Sequence, residues 1–253
     1  MAQARPRRPI WLLSLAALLL IWLVSAWLAQ SRALPSPLQV GQAIYTEARS
    51  GDLVFHTLAT LARVAAAFFI AMVVGSAIGI ALGRSSTLNN LFDPWVILFL
   101  NIPALVIIVL SYIWFGLNEA AAVGAVAMNK IPNVVVTIRE GAKSLEPQFG
   151  EMARVFRFSK WKSLRHVVLP QLQPYIAAAT RSGISLIWKI VLVVELLGRS
   201  NGVGFQIHLH FQLFDVATIL AYTLVFVAVM LAVEYLLLQP LENHSRRWRA
   251  NSA

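Results

Sequence analysis

Between Gly150 and Tyr175 the sequence GEMARVFRFSKWKSLRHVVLPQLQPY sets Arg154, Arg157, Lys160, Lys162 and Arg165 among aromatic and aliphatic residues. Cations interleaved with apolar side chains at helical spacing suit docking, onto anionic lipid, onto the protein itself or into a partner's groove. Two further cations, Lys130 and Lys189, fall near the middle of long apolar runs. Charges at mid-membrane depth are rare and usually face a cavity or a partner, so this pair could attract an anionic solute. The alternative pairs them with Glu119, Glu195 or backbone carbonyls, or lets them snorkel. His208 and His210, two residues apart, could form part of a metal site on an extended segment, but no third ligand lies nearby. Catalytic patterns are missing: there is no H-E-x-x-H, no G-x-S-x-G and no cysteine. No G-x-x-x-x-G-K-[ST] cradle for nucleotide phosphates occurs.

The elements that carry these residues are apolar. Of 253 residues 58% are hydrophobic and 13% charged, where soluble domains hold about 25% charged residues. The mean hydropathy is +0.70. Six runs of spanning length are predicted, at 9–29, 57–83, 92–115, 119–139, 175–197 and 216–238. Without alternation they read as helices, since lipid offers the backbone no hydrogen-bond partner. The first run, after Arg5, Arg7 and Arg8, is longer than a signal-peptide core and lacks a clean cleavage site, so an uncleaved span is expected. Lys and Arg concentrate in both termini and in 139–174, while Arg32, Arg49 and Arg199 fall on the other side. The positive-inside rule then puts both termini and the 139–174 segment in the cytoplasm and accounts for the net charge of +10 without nucleic acid. Gly75, Gly79 and Gly83 recur every four residues, a spacing that serves close helix packing. Pro103 and Pro132 are expected to kink the third and fourth spans.

Within the basic segment Pro147 suits a first helical turn. Phe149, Met152, Ala153 and Phe156 share a face, with Glu151, Arg154 and Arg157 elsewhere around the helix. Ser159 is placed to cap a second helix carrying Trp161, Leu164 and Val168. Leu169-Pro170 is expected to end it, because a residue before proline disfavours the helical region. The loop therefore reads as two short amphipathic helices, whose spacing favours docking into a partner.

Glu151-Met152-Ala153, a helix-turn-helix, then Val167 and Leu169-Pro170 resemble the EAA loop of permeases of binding-protein-dependent ABC importers. Phe115-Gly116, Glu119 and the stretch GRSNGVGFQI from Gly198 to Ile207 resemble the nitrate/sulfonate/taurine branch, and the resemblance spans about 55–240. Two positions depart from the family. Met152 replaces an alanine, and Arg157 stands at the glycine between the short helices. Arginine tolerates the left-handed conformation poorly, so the turn is expected to differ in shape or to sit one residue later, at Phe158-Ser159.

The resemblance implies an all-α integral membrane protein. An N-terminal helix would precede a five-helix permease core, giving six transmembrane helices with a cytoplasmic two-helix coupling loop. The implied division is 1–55, a permease core at 56–240, and a basic cytoplasmic tail at 241–253. It implies a transport subunit, not an enzyme. ATP and Mg would be bound by a partner ATPase, and no cofactor by this chain. The other implied partners are an extracytoplasmic solute-binding protein and a second copy of the chain, in a bacterial inner membrane. Coupling would fall to Glu151, Met152, Ala153, Arg154, Phe156, Arg157, Leu169 and Pro170. Lys130, Lys189 and Glu195 would serve the pathway, with Gly202 and Gly204 allowing a tight re-entrant gate loop. The solute would be a small anion such as a sulfonate, taurine or nitrate, or else a pyrimidine-type metabolite. The rival is a gradient-driven carrier or channel, against which the lack of an inverted repeat counts.

Overall fold

A computed structural model describes residues 8–239. The tail residues Arg5, Arg7, Arg246, Arg247 and Arg249, and the 241–253 division, lie outside the described residues. Eleven α-helices and no strand occur among the described residues. They are α1 (Arg8–Ala29), α2 (Pro37–Ser50), α3 (Asp52–Arg84), α4 (Ser86–Asn101), α5 (Ala104–Phe115) and α6 (Glu119–Lys143). After these come α7 (Pro147–Val155), α8 (Lys160–Ser163), α9 (Leu169–Gly198), α10 (Val203–Gln212) and α11 (Val216–Val233).

Among the described residues four helices are long and apolar enough to cross a membrane, Asp52–Arg84, Glu119–Lys143, Lys160–Gly198 and Val216–Leu236. The run expected as a single span at 92–115 is broken. Helices α4 and α5 meet at 94° and make a fifth crossing only if taken as one bent unit. The cause is local: Pro103 lacks an N–H, and Ile102 before it is extended at φ −73°, ψ 123°. Pro132, by contrast, stays inside a continuous α6. Helix α1 covers the run expected at 9–29, over Arg8–Ala29.

The bundle is organised on the pairing of α3 with α6. A Cβ at Gly75 would crowd Val134, at Gly79 Ile138, and at Gly83 Ala142. The four-residue glycine ridge thus lets α6 side chains seat against the α3 backbone, as its spacing predicted. Helix α9 packs along α6 and α3. Together with α5 these helices bury Val64, Ile108, Val126, Ile187 and Val191. Helix α4 is tied to α6 through Arg139, which donates to Asp93 and, at 3.2 Å, to Asn89.

Candidate functional site: two ends of one long helix

Helix α9 joins both candidate regions. The prediction that Leu169-Pro170 ends the second loop helix fails: Lys160–Gly198 runs as one helical unit of 39 residues. Proline lacks an N–H and crowds the carbonyl four residues back. Here the turn immediately before it is widened. Leu164–Val168 is π-helical, with the Leu169 N–H donating to the Leu164 carbonyl. A π stretch inserts an extra residue per turn and accommodates Pro170 without breaking the helix.

At the N-terminal end of this unit lies the basic loop. Helix α7 begins at Pro147 as expected and rests on the π stretch. The turn after it corrects a second expectation. The left-handed residue is Arg157 itself, at φ +50°, rather than a residue further on. The Phe158 N–H reaches the Ala153 carbonyl at 2.8 Å and the Arg157 N–H the Arg154 carbonyl at 3.0 Å. This is the double hydrogen bond of a Schellman cap, and it holds the arginine where glycine would sit more cheaply. Ser159 caps α8 by accepting from the Lys162 N–H at 3.3 Å, and the Lys162 ammonium lies 4.4 Å from the Phe158 ring centre.

The apolar residues of the loop divide. Ala153 is buried, at 4% exposure, so it packs on its own chain. Phe149, Met152, Phe156 and Trp161 are exposed, the last two at 68% and 70%. Leu169 and Pro170 are exposed on the outer side of α9, while Val167 is buried. Glu151 and Arg154 line a cleft of about 340 Å³ between α7 and the bundle, with Arg84, Glu146, Ser163 and Gln171. The Glu146 N–H donates to the Gln171 side chain across this gap at 3.1 Å.

At the other end of α9, Glu195 has no exposed surface. Its carboxylate accepts from the Arg63 guanidinium at 2.6 Å, the Thr60 hydroxyl at 2.9 Å and the Gly204 N–H at 2.9 Å. Arg63, 5% exposed, also donates to both oxygens of Glu119, at 2.8 and 2.7 Å, and to the backbone carbonyl and side chain of Asn201. Arg199 donates to Glu119 at 2.6 Å and to the Leu117 carbonyl at 2.8 Å. His56 accepts the Gly202 N–H on Nδ1 at 2.9 Å, and its Nε2 lies 2.6 Å from the Gln206 side-chain nitrogen. Two arginines and two carboxylates thus balance around a buried Arg63–Glu195 pair, with Glu119 half-exposed at its rim.

Gly202 and Gly204 have a steric role in this cluster. Gly202 has φ +111°, and a Cβ there would fall within the Glu195 carboxyl group; at Gly204 it would meet the Leu192 carbonyl. The missing side chains are what allow the loop to close on Glu195.

The two lysines are not brought together. Lys130, 2% exposed, has no hydrogen bond or ion pair among the described residues. It lies against Phe68 and Gly183, its Cε 3.4 Å from where a Cβ on that glycine would sit. Lys189 is exposed on α9, its ammonium 5.6 Å from the Trp188 ring centre. Glu119 and Glu195, the alternative lysine partners, are taken by Arg63. His208 and His210 lie on α10, a helix rather than an extended segment; His208 faces Gln212 at 2.9 Å and His210 faces Asp215 at 3.4 Å.

Sequence reasoning missed Arg63, Thr60 and His56. The available signal was an arginine inside the apolar run 57–83 and an opposite charge, Glu195, inside another. Both are costly in lipid unless they meet.

An all-helical bundle with membrane-crossing helices, a buried charge cluster at one end and an exposed amphipathic loop at the other defines a multi-pass membrane subunit. Residues 71–249 match the family "Binding-protein-dependent transport system inner membrane component". The chain belongs to this family, and it is a permease of a binding-protein-dependent ABC importer. It is 30% identical to the bicarbonate transport system permease protein CmpB of Synechococcus elongatus, covering 75% of this chain and 72% of that one. It is 29% identical to the taurine transport system permease protein TauC of Escherichia coli, covering 77% and 73%. With the putative aliphatic sulfonates transport permease protein SsuC of Bacillus subtilis the identity is 28%, covering 76% and 70%. A chain of the MetNI methionine ABC transporter, solved in inward-facing conformations, shares the fold at a TM-score of 0.63 and 16% identity, covering 79% of this chain and 98% of that one.

Proposed function

We propose that this permease forms, as a homodimer, the pathway of an ATP-driven importer for a small oxyanion. In this reading six spans place both termini and the 147–170 loop in the cytoplasm, the first span being α1 and the third the bent pair α4–α5. ATP and Mg are held by two copies of a partner ATPase, and an extracytoplasmic binding protein delivers the solute. ATP-driven closure of the ATPase pair pushes the loops, and the spans alternate the access of a central cavity.

The observation that carries the coupling role is the exposed row Phe149, Met152, Phe156 and Trp161 beside Glu151 and Arg154, on a loop continuous with a crossing helix. Aromatic residues left bare at the end of a helical lever suit a partner's groove. Arg157, Leu169 and Pro170 shape that lever.

The pathway side is supported by α9, whose exposed face carries Ser182, Ser185 and Lys189. A charge on such a face is costly against lipid and suits water or a second copy. Lys130 stands one layer behind and joins the cavity when the α6–α9 seam opens, while Glu195 with Gly202 and Gly204 forms the gate loop. The solute class follows from the named cargo of the relatives, bicarbonate, taurine and aliphatic sulfonates, which share a small oxyanionic head.

Cross-linking and co-purification from native membranes would test the coupling role, comparing wild type with Glu151→Lys/Phe156→Asp. An ATPase recovered with wild type and lost with the variant is the expected result. No ATPase with either would return the gradient-driven carrier to first place. The lysine assignment is tested separately. A Lys130→Met/Lys189→Met variant that kept wild-type rate and preference would end it.

A further inference from the structure

We propose that Arg63 is a positioning residue for transport: it fastens loop 199–202 to the far end of α9, so that a displacement begun at the coupling loop arrives there as movement of one body. The inference rests on the coupling role proposed above.

Arg63 belongs to α3, yet its five hydrogen bonds go to the first residue of α6, the last turns of α9 and the loop beyond. Every N–H of the guanidinium fork is used. Glu195 extends the same fastening to α10 through the Gly204 N–H, and Glu119 extends it to Arg199 in the loop. Three helices and the loop therefore meet on one buried side chain, and α10 joins them through Glu195. The other end of the same helical unit is the exposed loop, 39 residues or roughly 58 Å away along a continuous backbone. A lever of that length delivers motion only to what is fixed to its tip. Helix α9 itself offers the loop one acidic side chain, and Arg63 is what joins that carboxylate to Asn201. Lysine keeps the charge but has three donors on a point-like group, so it cannot span two carboxylates and the loop at once.

The chain contains no cysteine, so a single reporter can be placed at Ser200, which is exposed in this loop. The experiment uses the full chain carrying Ser200→Cys, assembled with its ATPase in nanodiscs. The maleimide labelling rate is read without nucleotide and with ATP plus vanadate, alongside ATP hydrolysis. With Arg63 intact the rate should change by at least about fivefold between the two conditions, the low end of typical allosteric coupling. With Arg63→Lys, hydrolysis should continue while the change collapses towards unity. A purely structural role would instead lower assembly and hydrolysis and leave the nucleotide response of surviving complexes intact. That result, or no response in the parent, overturns the proposal. Should Arg63→Lys fail to assemble, Asn201→Ala decides. It removes the loop side chain that Arg63 holds and keeps the Arg63–Glu195 pair, and a full wild-type response in it overturns the proposal. Failure of the ATPase to join even the parent chain would defeat the coupling role instead.

Discussion

The two ends of α9 are built on opposite principles. At Glu195 every charge is matched: Arg63 uses all its donors, and two glycines give up side chains so that the loop can close on the carboxylate. At Trp161 the chain leaves large apolar side chains in the open. It attaches α7 through buried Ala153, a contact with the π stretch and one bond from Glu146 to Gln171. A surface that is rigid by itself needs no partner, whereas one that is apolar and lightly held is completed by another protein. The difference assigns the cost of substitution in advance: stability at one end, assembly at the other.

The largest effect is expected from Glu195→Ala. It strands Arg63 beside a cavity, and removing one partner of a buried ion pair costs about 3–5 kcal/mol. Thermal unfolding in detergent should show the loss. The double variant Arg63→Met/Glu195→Met should recover most of it, because an apolar pair of similar volume removes the uncompensated charge. If the double variant were as unstable as the single one, the cluster would hold the helices by more than charge balance.

Next comes Gly202→Ala. Its Cβ must displace the Glu195 carboxyl group, and its φ of +111° is one that side chains resist. Overpacking costs roughly 1–3 kcal/mol, to be read as a lower melting temperature. Gly41→Ala, with no atom within 4 Å of its added Cβ, is the control and should be near neutral. Equal effects at both glycines would show that the loop is not packed on Glu195.

Arg157→Gly probes the other end with the opposite sign. The arginine holds φ +50° in the cap after α7, where a Cβ costs about 1 kcal/mol. Glycine should therefore protect the Phe158 N–H more strongly against hydrogen exchange. Slower exchange confined to 153–158 is the expected pattern. Unchanged exchange would mean that the arginine side chain compensates elsewhere.

These positions also show what was legible beforehand. Hydropathy located the long apolar helices near 57–83, 119–139, 175–197 and 216–238, and helical spacing found the amphipathic loop, its Ser159 cap and the glycine ridge, because each is a local rule acting on neighbours in sequence. The Arg63 cluster was not legible, because Glu119 and Glu195 reach it from two other helices and no local period links those to Arg63. Pro103 and Pro170 mark the boundary between the two cases. Pro103, in an apolar run, breaks its helix at 94°, while Pro170, at the end of the basic segment, is absorbed by a π turn. Pro132 also stays within a continuous α6, so residue type alone does not fix the outcome.

The smallest stability effect is expected where the functional one is sharpest. Phe156 and Trp161 project into the open, so Phe156→Ser/Trp161→Ser removes little buried area and should shift stability by less than about 0.5 kcal/mol for each site. An aromatic that fills a partner's groove contributes far more to the complex, since a few buried aromatics dominate interface energy. The two readouts should therefore separate, with an unchanged melting temperature for the isolated permease and a sharp loss of ATPase in co-purification. Ala153→Asp should behave differently, lowering both, since that side chain packs inside its own chain. Were the double serine variant to lose stability as Ala153→Asp does, the aromatics would belong to the permease core. The contrast between the two ends of α9 would then be one of degree.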